Sequence, residues 1–120
     1  MKARQDGIRA ERAAVDYLID SGLDVLASNL RVGRFEIDVL AADGSVLVIV
    51  EVRTRGPGAF VRALDSVDAR KRARLRLAGR WLWRDRYAAD PRFERLRFDC
   101  IAVRFSPTGA PDVEHVRAAF

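Results

Sequence analysis

Cysteine occurs once in the 120 residues and histidine once. A lone Cys100 leaves no intramolecular disulfide and no cysteine-based metal motif, which fits a reducing compartment. No Gly-rich nucleotide loop, no Ser/His/Asp arrangement, no internal repeat and no low-complexity tract is present. The first residues, Met1 to Asp6, lead straight into a charged amphipathic segment. No apolar stretch there suits secretion or membrane spanning, so a cytoplasmic protein with no membrane partner is expected. Lysine is also scarce: Lys2 and Lys71 are the only two, and the net charge of +5 is almost entirely arginine. Guanidinium clamps phosphate bidentately, so the charge points toward a polyanion such as nucleic acid, although ordinary basic domains carry similar excesses.

Hydrophobic residues make up 49% and charged residues 32% of the chain, a globular composition that fits one domain over residues 1–120. The informative stretch runs from Arg34 to Arg55. Two apolar runs are joined by Asp43-Gly44, which predicts a hairpin with a type I′ turn. That register sets Asp38 opposite Ile49, Glu36 opposite Glu51 and Arg34 opposite Arg53, with Glu36, Asp38, Glu51 and Arg53 on one face. Val46-Leu47-Val48-Ile49-Val50 is apolar on both faces, as a central covered strand reads. Acids at the end of such a strand call for a cation, and hard Mg²⁺ or Mn²⁺ suits oxygen ligands. The competing reading is an exposed hairpin end whose acids pair with arginines.

Gly7 to Ser21 is predicted helical and stops before Gly22, with Ile8, Ala14, Val15 and Leu18 facing inward. Glu11 lies among them. It is placed either to pair with Arg4, Arg12 or Arg34, or to reach across the sheet toward the hairpin acids. Leu23 to Asn29 is expected as the first strand, with a turn around Arg31 to Gly33. Gly56-Pro57-Gly58 breaks the chain into a loop reaching about Leu64. Asp65 or Ser66 then caps a helix to about Arg84, buried along Ala73, Leu77, Ala78, Trp81 and Leu82. Arg72, Arg76, Arg80 and Arg84 recur every four residues as a basic ridge, a solvated face or a phosphate-tracking one. Leu96 to Phe105 is a fourth strand, in which Asp99 is expected to partner an arginine. Asp112 to Val116 adds an edge strand carrying His115, for which neither base nor ligand duty is expected.

Taken in order, Gly7-x-x-Ala10-Glu11-x-x-Ala14, Asn29-x-Arg31, Glu36-Ile37-Asp38, Glu51-Val52-Arg53-x-Arg55, Lys71 and Arg97-Phe98-Asp99 resemble the YraN family of bacterial endonuclease-like proteins. The resemblance covers about Gly7 to Phe105. It implies the PD-(D/E)xK nuclease superfamily, related to archaeal Holliday junction resolvases, and so an α/β, restriction-endonuclease-like fold with a mixed central β-sheet flanked by helices. By position it gives Asp38 and Glu51 as metal-site acids, Glu11 as the helix acid completing the site, and Arg53 where the superfamily has its lysine. Phe35 stands where that family usually has glycine.

The implied activity is Mg²⁺- or Mn²⁺-dependent cleavage of DNA, branched or single-stranded. Asp38, Glu51 and the Val52 carbonyl would hold metal, with Glu36 available for a second ion or an ordered water. Arg55, Lys71, Arg72, Arg76 and Arg80 would contact the nucleic acid, and analogy with the resolvases adds a homodimer. Arginine does not deprotonate in a protein, which excludes Arg53 as a general base. Lys71 would substitute for the missing lysine or contact phosphate. The alternative from another functional class is a non-catalytic nucleic-acid-binding module on a degenerate nuclease fold. A basic protein-interaction domain would explain the composition but not the acids.

Overall fold

The computed structural model describes residues 2–55, 68–107 and 109–120, with the side chains of residues 2–6 and of Arg55 left aside. The expected loop at 56–64, the expected caps Asp65 and Ser66, and the side chain of Arg55 therefore lie outside the described residues. So does Arg4 as a partner for Glu11.

The elements follow in the order α1 (Lys2–Asp20), β1 (Asp24–Val32), β2 (Phe35–Asp43), β3 (Val46–Arg55), α2 (Ala69–Leu82), β4 (Arg95–Arg104) and β5 (Asp112–Val116). A π-helical turn, Trp83–Tyr87, extends α2. The strands form one five-stranded mixed sheet in sequence order, with β3 at its centre. Only β3 and β4 run parallel, and α2 lies in the connection between them. This is the expected α/β architecture of a mixed central sheet flanked by helices, and it is compatible with a restriction-endonuclease-like fold.

Each helix covers one face. Ala10, Ala14 and Leu18 of α1, four residues apart, pack on Val39, Ala41, Val46, Val48, Val50, Ile101 and Val103. Val15 packs partly against the same cluster, whereas Ile8 is exposed. Helix α1 closes in a Schellman arrangement: Leu23 N–H donates to the Leu18 carbonyl and Gly22 N–H to that of Ile19, each at 3.0 Å. The cap requires the φ of +93° that Gly22 supplies.

On the other face Ala78 and Leu82 pack on Ile37, Leu40, Ala42, Leu47 and Ile49. The buried line of α2 is Leu75, Ala78, Gly79 and Leu82; Ala73, Leu77 and Trp81, expected inside, are exposed. Gly79 decides this. A Cβ there would stand 2.7 Å from both Ile49 Cδ1 and Phe98 Cζ, so the helix backbone rests directly on the sheet only where a side chain is missing. Asp68 caps the helix, its carboxylate accepting the Lys71 N–H at 2.8 Å.

Two irregularities shape the β1–β2–β3 region. The hairpin turn is Gly44-Ser45 rather than Asp43-Gly44, because Asp43 pairs with Val46. Gly44 takes φ +60° while Ser45 does not take positive φ, the pattern of a II′ rather than a I′ turn. The register moves by two, so the expected oppositions of Glu36 with Glu51 and Arg34 with Arg53 do not form. The last pair of this ladder is Val39 with Val50, immediately before Asp38 and Glu51.

The second irregularity lies at Asn29, φ +52°, where the β1–β2 ladder skips from Ser28–Val39 to Leu30–Ile37. Regular alternation would put Ile37 and Val39 on the same face. Instead Ile37 joins the α2 cluster and Val39 the α1 cluster. The facing of β2 therefore inverts at Asp38.

Candidate functional site

The inversion decides where the acids go. Glu36 falls on the α1 side, and its carboxylate, that of Glu11 and that of Asp38 bring oxygens within 4.8 Å of one another. Glu51 and Arg53 stay on the α2 side, Glu51 against Lys71 and Arg53 within electrostatic reach of Asp68. The expectation that Glu36, Asp38, Glu51 and Arg53 share a face is thus corrected. Asp38, at the break, is the residue that meets both groups: it lies beside Glu11 and Glu36, and the neighbouring Glu51 carboxylate acts on it from the other side.

Because the β2–β3 ladder stops at Val39 and Val50, Asp38 and Glu51 lie just beyond it and line a cleft of about 510 Å³. Glu11 and Asn29 line it on one side, Arg53 and Lys71 on the other. Four carboxylates face two cationic side chains. Glu51 is 2% exposed, and its partner is the Lys71 ammonium, Nζ to Oε1 2.8 Å. The Asp68 cap fixes Lys71 on the first turn of α2, so helix initiation and the position of this ammonium are one structural event.

Asp38 accepts the Val52 N–H at 2.8 Å. The Val52 N–H thus ties the acid to β3. This bond and Lys71 favour the carboxylate, but burial and the neighbouring Glu51 outweigh them and push Asp38 up to about 7. Glu11 is also raised, chiefly by burial, and then by Asp38 and Glu36, against a lowering hydrogen bond from the Asn29 side chain. Glu11 thus takes the second of its two expected placements, turned to the hairpin acids.

Asn29 is the site residue that sequence reading missed as such. Its signal was an asparagine ending a strand-like run, since Asn is among the few non-glycine residues that enter the left-handed region readily. Arg76, Arg80 and Arg84 are exposed and Arg72 half-buried, all on α2 or its π extension, so the expected ridge exists as a surface feature.

Asp99 is a different kind of acid. Arg97 donates from Nε to its Oδ1 at 2.8 Å and from a terminal nitrogen to its Oδ2 at 2.9 Å. His115 Nε2 lies 2.8 Å from Oδ2, and the Ala118 N–H donates to Oδ1 at 3.0 Å. Burial works against the charge, but these donors together hold Asp99 down at about 2. The expected arginine partner is therefore present. His115 is buried rather than on a polar surface; its Nδ1 is 3.1 Å from the Tyr17 hydroxyl, which ties α1 to the edge strand.

The residues of this cleft fall in the span that similarity to other proteins covers. A family model described as "Uncharacterised protein family UPF0102" matches residues 10–103, from Ala10 of α1 to Val103 of β4. A UPF0102 protein of Sorangium cellulosum is 55% identical over 114 residues, 95% of this chain and 79% of its own. One of Halorhodospira halophila is 45% identical over 118 residues, 98% and 88% respectively. One of Mycolicibacterium vanbaalenii is 41% identical over 113 residues, 92% and 89%. With the matched span running from the helix beside Glu11 through both acid-bearing strands and α2, the chain belongs to the UPF0102 family.

Proposed function

We propose that this protein is a metal-dependent endonuclease that hydrolyses phosphodiester bonds in DNA. The observation carrying the reading is the convergence of Asp38 and Glu51 at the split between β2 and β3, where neighbouring acids raise Asp38 to about 7. Carboxylates crowded together and partly withdrawn from water are a poor structural device, and a natural place for a cation. The sequence resemblance to the YraN family supports it at Glu11, Asp38 and Glu51, and departs from it at Arg53 and Phe35.

The donor set fits a hard divalent ion: the cleft offers four carboxylates besides the oxygens of Asn29 and Thr54, with no sulfur and no imidazole among the described residues lining it. Asp38 and Glu51 would hold Mg²⁺ or Mn²⁺, and Glu11 and Glu36 stand close enough to Asp38 to serve a second ion or an ordered water. Bound there, the ion would activate water and stabilise charge on the phosphoryl oxygens.

The chain's own residues do the rest. Val52 N–H orients the Asp38 carboxylate, and Asn29 orients that of Glu11. Arg53 offers positive charge to the developing phosphorane but accepts no proton. Lys71 supplies, from α2, the ammonium that the superfamily pattern expects on the strand. Its contact with Glu51 places it to donate hydrogen bonds to a phosphate oxygen or to the attacking water.

Incubating the purified protein with labelled linear, flap and four-way-junction DNA in Mg²⁺ and Mn²⁺ tests this. Cleavage should be lost in Asp38→Ala; equal residual cleavage in both proteins would end the proposal. Arg53 in the lysine position favours one second reading, a non-catalytic nucleic-acid-binding module. That reading predicts salt-dependent DNA binding with no metal-dependent cleavage by the wild type, and Arg53→Lys then restoring none.

A further inference from the structure

We infer that the outer face of α2 is a track for an unpaired DNA strand, with phosphates along its arginines and bases against Leu77 and Trp81. The inference rests on the nucleic-acid reading above, but not on hydrolysis.

Helix α2, A-R-K-R-A-R-L-R-L-A-G-R-W-L, contains no acidic residue. Its buried line leaves two adjacent i+4 rows on the outside. One is Arg72, Arg76 and Arg80. The other is Ala73, Leu77 and Trp81, with Arg70 and Arg74 on its far flank. Leu77 is 40% and Trp81 37% exposed, two of the five large hydrophobics the surface shows among the described residues. A solvated basic face has no use for an apolar row running through its middle. A duplex-binding face has little more, because phosphates alone meet it and paired bases stay stacked inside.

A single strand presents both chemistries at once, a charged backbone on one side and the flat faces of bases on the other. Arginines four residues apart rise about 6 Å along the helix, an interval an extended strand's phosphates can match. Trp81 is also held in place. Its ring centroid is 6.0 Å from that of Phe35, and Gly33, φ +60°, leaves only 3.3 Å between a hypothetical Cβ and the indole. A ring fixed by its neighbours and still more than a third exposed is a preorganised stacking surface. The track ends at the cleft: Lys71 lines it, and Trp81 lies ten residues on, about 15 Å along the axis. A strand on α2 would lead into the acids.

The test uses the whole chain in EDTA, so that binding is read apart from cleavage. A labelled oligothymidylate and a hairpin duplex of equal length are titrated by anisotropy, with tryptophan emission followed in parallel. The oligothymidylate should quench emission, and Trp81→Ala and Leu77→Gln should each weaken it by on the order of tenfold. Duplex affinity should stay the same in both variants, and Trp81→Phe should keep most of the single-strand affinity. Leu77→Gln removes an outward side chain, so it answers the question even if Trp81→Ala disturbs Phe35.

Unchanged oligothymidylate affinity in both variants overturns the inference. So does sedimentation in which these variants dissociate a dimer without altering affinity, which would assign the row to a second copy of the chain. A wild type that binds the oligothymidylate as described yet never cleaves in Mn²⁺ would sink the hydrolase reading alone. A wild type that cleaves while both variants bind normally would sink only this one.

Discussion

Two aspartates in one sheet, one half-buried and one buried, behave in opposite ways. Asp99 in β4 is fully buried and its carboxylate is held down at about 2; Asp38 in β2 is less buried and is pushed up to about 7. Burial therefore does not separate them. The difference is partners: Asp99 receives an arginine fork, an imidazole and a backbone N–H, all from this chain. Asp38 receives one backbone N–H and faces three other acids. The fold completes Asp99, whereas under the proposed function Asp38 is left for a cation that arrives from solvent.

Removing each acid should break the comparison most sharply. Asp99→Ala leaves Arg97 and His115 buried around a missing charge and should lower the unfolding free energy by about 3–5 kcal/mol, read by urea denaturation. Asp38→Ala at pH 8 and without divalent ions should stay within about 1 kcal/mol of wild type, or exceed it, because it relieves repulsion. A loss of Asp99 size at Asp38 would mean that the fold completes both acids.

Lys71→Met comes next. It strips the partner from Glu51, and with Lys71 about a third exposed the metal-free protein should lose about 2 kcal/mol. Adding Mn²⁺ should return most of that loss, since an ion would take over the ammonium's role. Loss that Mn²⁺ leaves untouched would make Lys71 a purely structural partner.

The pH dependence distinguishes the two acids by sign. Between about pH 4 and 7 the folded Asp38 keeps a proton that the unfolded chain has released. The folded state then binds more protons, so stability falls as pH rises through that window, by roughly 4 kcal/mol for the full shift. Asp99 works the other way: its contribution is complete above about pH 4 and is lost as pH falls toward 2. Thermal melts of wild type, Asp38→Asn and Asp99→Asn across pH should remove first one limb and then the other. Smallest of all, Arg53→Lys should change folding by less than about 0.5 kcal/mol and cleavage by less than Lys71→Met does. A greater gain in cleavage from Arg53→Lys would return the lysine's role to the strand.

Much of this was legible in the residues. The apolar run of β3, the hairpin, both helices and β5 all follow from periodicity and breakers, and Glu11, Asp38, Glu51 and Lys71 stand out by pattern and by the family resemblance. What was not legible has physical causes. Asp43-Gly44 and Gly44-Ser45 are both acceptable two-residue turns, and Asp43 is drawn into β2, where Arg97 meets its carboxylate at 3.0 Å. The inversion at Asp38 depends on Asn29 taking a left-handed conformation opposite it, which alternation cannot encode. On α2, Ala73, Leu77 and Trp81 form as good an apolar row as the true one; only Gly79 distinguishes them, by what it lacks. His115 is buried through Tyr17 and Asp99, 98 and 16 residues away.

The account stands or falls on Asp38 being completed by a cation from solvent. Thermal midpoints of wild type and Asp38→Asn, with and without Mn²⁺, at pH 5 and pH 8, test that most directly. The prediction is a rise of several degrees for wild type at pH 8, little at pH 5 and none in the variant. An equal rise in both proteins, or none in wild type at pH 8, would contradict it.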